Sequence, residues 1–230
     1  MNARLYIAIP VFNRVAIAAQ CIPTVRESMY AEDHLAIYDD GSTESTAPLF
    51  AQAGPNETWT WGPNVGVDAQ RRQHILDFWA KPEFTHLYFS DADAFVDPHW
   101  RSRLLDIHER TGLLTCGYHT QTHEDYANNV YARRDDIVFT RFVPGVSMLM
   151  SREQVELIAS QMPPRWSFDW HIPGILGYKC AVSDVSCVDH ISLGGMHHVG
   201  EGLDSGDRAL NPTEALIAKR AEIISNLTAK

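Results

Sequence analysis

Three short apolar runs set the plan of this 230-residue chain, and each breaks off into polar or acidic residues. They are Arg4 to Pro10 (RLYIAIP), Leu35 to Tyr38 (LAIY) and Leu87 to Phe89 (LYF). Near-continuous apolar runs of this length suit strands buried on both faces. Helix-length segments lie between them, from Asn13 to about Met29 and from about Val67 to Ala80. Thr58 to Trp61 (TWTW) adds another short strand. The alternation of strand and helix predicts an α/β fold with a mostly parallel sheet flanked by helices.

Open sheets of this kind bind ligands beyond the carboxyl ends of their strands. The polar clusters fall there: Val11 to Arg14, Asp39 to Thr43, and Ser90 to Asp93. Side chains two apart on an extended chain point the same way, so Asp91 and Asp93 can aim two carboxylates at one point. Two such groups repel unless a cation sits between them. A hard divalent metal, which takes oxygen ligands, is the natural candidate. The alternative at this stage is an ordinary Asp-rich turn. Asp97-Pro98 reads as a helix start, which excludes Asp97 from the site.

The formal charge of −10 argues against nucleic acid or another polyanion held on a basic surface. No apolar run approaches the 18 or so residues of a membrane helix. The amino terminus lacks a secretory signal pattern. Cys21, Cys116, Cys180 and Cys187 lie far apart and read as reduced thiols of a cytoplasmic protein. The expected organisation is one domain over 1–230, with the strand–helix alternation over 1–93, a more irregular part with a Gly-rich loop over 94–210, and a terminal helix over 211–230.

Local signals refine this. Asn13 can cap the first helix, and Pro23 should kink or split it. Gly41 permits a tight turn, after which Ser42 or Thr43 can cap a helix with Glu44 in its first turn. Ile75, Leu76 and Trp79 share a helical face. Leu113 to Tyr118 reads as a strand, 130–133 and 137–142 as a hairpin, and Gly145 to Met150 as another strand. Ser151 and Gln154 form a capping box for a helix to about Gln161. Cys180 to Val188 reads as paired strands leading to Asp189-His190. Leu193 to Asp207 reads as a mobile loop, and Asn211 caps a last helix to about Leu227.

Four segments resemble the GT-A glycosyltransferases, most of all the family 2 type. They are AIPVFNR (Ala8 to Arg14), YDDGST (Tyr38 to Thr43), NVGVDAQR (Asn64 to Arg71) and SDAD (Ser90 to Asp93). Their order and spacing are similar to the family's over roughly the first hundred residues. The resemblance implies a GT-A, nucleotide-diphospho-sugar transferase fold with a Rossmann-like amino-terminal half. It implies that Pro10, Phe12 and Arg14 line the base and ribose pocket. Asp39 would accept a hydrogen bond from the base, while Asp40 fixes the turn. Asn64, Gly66 and Arg71 would lie near the sugar or phosphates, with a solvated helix face as the other reading of Arg71. Asp91, with Ala92 beside it, would reach the nucleotide-sugar or a metal-bound water. Asp93 would hold Mn²⁺ or Mg²⁺ directly. A histidine late in the domain would complete the set; His190, His197 and His198 are available, and His190 is preferred because it ends a strand.

Asp169 stands where relatives carry an acidic residue near the acceptor, although here it follows Phe168 rather than Glu. The resemblance casts it as general base; the other reading is a helix cap. Trp166, Phe168 and Trp170 would form an acceptor platform, with core packing as the alternative. The implied activity is metal-dependent, inverting transfer from a UDP-sugar to an acceptor hydroxyl. One rival is a nucleotidyltransferase, which needs a Gly-rich basic loop where this chain has Pro10 to Asn13. The other is a non-catalytic carbohydrate- or nucleotide-binding module of the same fold.

Overall fold

The computed structural model describes residues 3–118, 128–164, 167–191, 221, 222 and 225. Its first half runs β1 (Leu5–Val11), α1 (Val15–Ser28), β2 (His34–Asp39), α2 (Ala47–Phe50), β3 (Glu57–Trp61), α3 (Val67–Trp79) and β4 (His86–Ser90). The second half runs β5 (Ala94–Val96), α4 (Trp100–Thr111), β6 (Leu114–Cys116), β7 (Val130–Arg134), β8 (Ile137–Thr140) and β9 (Ser147–Ser151). It ends with α5 (Arg152–Gln161), α6 (Phe168–Ile175), β10 (Cys180–Ser183) and β11 (Val188–His190).

One nine-stranded sheet has the order β3-β2-β1-β4-β9-β6-β10-β8-β7. β1 to β4 pair in parallel, whereas β8 and β9 run against their neighbours. The apolar runs become the buried middle of this sheet: Leu5, Ile7, Ile9, Leu35, Ile37, Leu87 and Phe89 are fully buried. Parallel register brings Val11 beside Asp39, so the loops after β1 and β2 leave the sheet side by side. A separate two-stranded sheet pairs β11 with β5, setting His190 opposite Ala94.

Several local expectations are corrected. α1 runs through Pro23 as one helix. Asn13 does not cap it; its Oδ1 accepts from Thr43 N and Glu44 N at 2.8 and 3.3 Å. The Glu44 carboxylate does that work instead, accepting from Arg14 N and Val15 N. The next helix starts only at Ala47. In α3 the core face carries Gln70, Arg71, His74, Ile75 and Phe78. Leu76 and Trp79 are 41% and 58% exposed, because a buried arginine and histidine displaced the purely apolar stripe. β10 and β11 do not pair with each other: β10 enters the main sheet beside β6 and β8. The Ser151–Gln154 capping box is present in both directions. No helix of the described residues is long and apolar enough to cross a membrane. The four cysteines are buried, and none is in a disulfide.

Candidate active site

A cavity of about 360 Å³ opens beyond the carboxyl ends of β1, β2 and β4. The end of β1 contributes Pro10 to its wall and the loop after it Phe12 and Arg14, the loop after β2 contributes Asp40, and Asp91, Ala92 and Asp93 follow β4. Phe168 and Asp169 come from α6, and His190 comes from β11.

Ligand atoms of Asp91, Asp93 and His190 lie within 4.8 Å of one another. The β5–β11 pairing is what brings His190 across 97 residues of chain: Ile191 N donates to Asp93 O at 3.1 Å, and His190 Nε2 lies 2.9 Å from Asp93 Oδ1. Arg14 Nη1 donates to the other oxygen of Asp93 at 3.0 Å. Arg71 Nη2 donates to Asp91 Oδ1 at 2.7 Å. Two carboxylates and an imidazole on one point suit a hard or borderline divalent ion such as Mn²⁺ or Mg²⁺, so the residues fit the metal that the fold implies.

Asp169 faces the same cavity. Burial and the nearby Asp91 carboxylate push its carboxyl up to about 7, against the pull of Arg71 and the Gly145 N–H. Its Oδ1 finds no hydrogen-bond partner among the described residues. A buried carboxyl held near neutrality is suited to take a proton. Two features position it. Phe168 N donates to Asp68 Oδ1 at 3.0 Å, which ties the start of α6 to the first turn of α3. Gly145 lies so close that a Cβ there would overlap the Phe168 ring and come within 2.6 Å of Asp169 Oδ1.

The Asp-Asp-Gly turn divides its work differently from the expectation. Asp39 Oδ1 accepts from Ser42 N at 2.8 Å and its Oδ2 from Thr46 Oγ1 at 2.7 Å, so both oxygens hold the turn. Asp40 accepts from Val65 N, Gly66 N and Gln70 Nε2 at 2.7–2.9 Å, and it, not Asp39, lines the cavity. Gly41, at φ +74°, packs against the same loop: a Cβ would meet Asn64 N at 2.6 Å. Asn64 is exposed on that loop and Gly66 opens α3; neither lines the cavity.

Arg71 is not on a solvated helix face, and it does not line the cavity. Its side chain is 0% exposed, and it donates to Ala8 O at 3.1 Å and Ser90 O at 3.0 Å as well as to Asp91. It lies over the Phe89 ring and 5.3 Å from the Phe168 ring centroid. Phe168 is buried at the cavity wall, whereas Trp170 is 59% exposed and packs edge-on against Phe142. Trp166, His197, His198 and the Leu193 to Asp207 loop lie outside the described residues. The sequence assigns no site role to Asp68, inside the NVGVDAQR segment, or to Gly145, at the start of an expected strand, because their contacts with Phe168 and Asp169 are long-range; Glu44 reads there only as a first-turn residue.

A sequence profile described as glycosyl transferase family 2 matches residues 6–156. Among solved structures, the chain is similar to residues 1–349 of S. aureus TarS in complex with UDP-GlcNAc, with a TM-score of 0.63 and 11% identity. That likeness, which is one of fold, covers 86% of this chain and 61% of the other, so the chain spans less than two thirds of its neighbour. No curated protein matches the chain.

Proposed function

Because the chain belongs to glycosyl transferase family 2, we propose that it moves a sugar from a nucleotide-sugar, in this reading a UDP-sugar, to an acceptor hydroxyl with inversion at the anomeric carbon. One observation carries the reading: Asp91, Asp93 and His190 converge within 4.8 Å in a cavity that also holds Asp169. The fold neighbour was captured with UDP-GlcNAc, which supports a UDP-sugar as donor.

In this reading Pro10 and Phe12 form the apolar wall for base and ribose, with Asp40 as the polar group beside them. Asp91, Asp93 and His190 would hold Mn²⁺ or Mg²⁺, which when bound stabilises negative charge on the leaving diphosphate. Asp169, ionised, takes the proton of the acceptor hydroxyl as its oxygen attacks the anomeric carbon. General-base help of this kind contributes ~10²–10⁴-fold. Burial of Arg71 and its two backbone oxygen partners, Ala8 O and Ser90 O, fix the guanidinium that orients Asp91. Trp170 and Phe168 flank the base in sequence and would meet the acceptor, with Trp170 offering the exposed ring.

Calorimetric titration with UDP, GDP and CMP, each with Mn²⁺ and then with EDTA, tests the donor site. Metal-dependent binding of UDP alone, lost in Asp93→Ala, is the expected result. A folded protein that binds none of the three overturns it. Binding of UDP without turnover of any UDP-sugar would instead mark a binding module of this fold.

A further inference from the structure

The two carboxylates of the candidate metal set each already hold a guanidinium: Asp91 has Arg71 at 2.7 Å and Asp93 has Arg14 at 3.0 Å. Formally the four charges cancel. The two arginines differ in how they are held. Arg71 is fully buried and also bonded to the backbone oxygens of Ala8 and Ser90, so it is fixed. The Arg14 side chain is 22% exposed and lines the cavity. It springs from a loop in which both Asn13 and Arg14 sit at φ 53°, the left-handed region that non-glycine residues rarely adopt. Backbone of this kind persists where surrounding contacts hold it, and it gathers at functional sites. Here Ser42, Thr43 and Glu44 supply those contacts, so the loop aims Arg14 across the cavity at Asp93.

We propose that Arg14 is an internal counterion which occupies Asp93 until a diphosphate arrives with its metal, and then serves the diphosphate, so that cation and diphosphate bind as a coupled pair. The proposal rests on the donor reading above and deepens it. Its physical basis is charge. A divalent ion approaching alone meets a neutralised pair of carboxylates and the repulsion of a nearby guanidinium. A metal-bound diphosphate brings net negative charge, and gives the displaced guanidinium oxygens to donate to. The balance is reciprocal, because each ligand must raise the affinity for the other by the same factor.

The test is calorimetry on the full chain with two probes: MnCl₂ alone, then UDP at a fixed MnCl₂ concentration. Wild type, Arg14→Gln and Arg14→Lys are compared, with uridine as the probe that lacks phosphates. Arg14→Gln should bind Mn²⁺ alone roughly tenfold or more tightly than wild type, because a like charge has gone. It should bind UDP with Mn²⁺ roughly tenfold or more weakly, and uridine unchanged. Arg14→Lys, which keeps the charge, should lie near wild type on both axes. Equal or weaker Mn²⁺ binding in Arg14→Gln overturns the proposal, as does unchanged UDP binding. If wild type itself shows no Mn²⁺-dependent UDP binding, the donor reading fails and takes the proposal with it. If wild type binds normally and Arg14→Gln shifts neither probe, only the proposal fails.

Discussion

Asp169 is where chemistry and stability pull against each other. Its carboxyl is raised to about 7 by burial and by Asp91. An unfolded chain ionises its aspartates near 3.9, so between those values the unfolded state binds fewer protons than the folded one. The stability tied to this group is therefore fully present below about pH 4, and is lost as pH rises through about 7. Asp169→Asn should lose transfer by ~10²–10⁴-fold. The same variant should melt higher than wild type at pH 8, and the gap should close as pH falls toward 4. Thermal melts across that range check the stability half, and initial rates check the other. A variant that is inactive but no more stable at pH 8 would mean that the buried charge costs the fold nothing.

At the scale of elements, the site is a meeting of loops. α6 carries Asp169, but its position is set by α3 through Asp68 and by the β8–β9 connection through Gly145. Gly145→Ala should push Phe168 and Asp169 aside while leaving Asp93 and His190 in place. The expected result is a fall in kcat of roughly tenfold to a hundredfold, since misplacement by about 1 Å can cost that much. UDP binding with Mn²⁺ should survive. Loss of nucleotide binding in step with kcat would show instead that the substitution disturbs the whole cavity. The β5–β11 ribbon is the matching device on the metal side, because its backbone pairing brings His190 beside Asp93, where the two side chains also meet at 2.9 Å.

The whole molecule separates stability from function along its strands. At the amino ends, Asp33 accepts from Arg101 at 2.7 and 2.9 Å and from Leu5 N and Tyr30 N, clamping β1, the start of β2 and α4 at the end of the strands opposite the cavity. Asp33→Ala leaves Arg101 buried without its carboxylate. It should cost about 3–5 kcal/mol in urea unfolding, with the UDP affinity of the remaining folded protein unchanged. Acid should act through His86 as well. Burial and the neighbouring His108 hold the His86 imidazole down to about 4. An unfolded histidine protonates near 6.5, so this contribution is present above that pH and is lost as pH falls through about 4. His86→Asn should flatten the fall in melting temperature over that window. An unchanged slope would assign the acid sensitivity to other groups.

Periodicity and punctuation in the sequence were enough for the α/β layout, the parallel first half and the placing of Asp91 and Asp93 at a strand's carboxyl end. Those features depend on residues near one another in the chain, and buried strands and the Ser151–Gln154 capping box carry local marks. Long-range geometry had no such mark. The role of Arg71 was decided by burial, since a helix face that reads as charged became a strut under the site. The division of labour between Asp39 and Asp40 was decided by which N–H groups the neighbouring loop presented. Three late histidines were equivalent by composition, and strand-end position favoured His190. Its distance from Asp93 follows from pairing between β5 and β11, two three-residue strands far apart in sequence. Contacts of that kind arise only when the packed core brings distant segments together, which is why the tertiary structure, not the sequence, assembled the site.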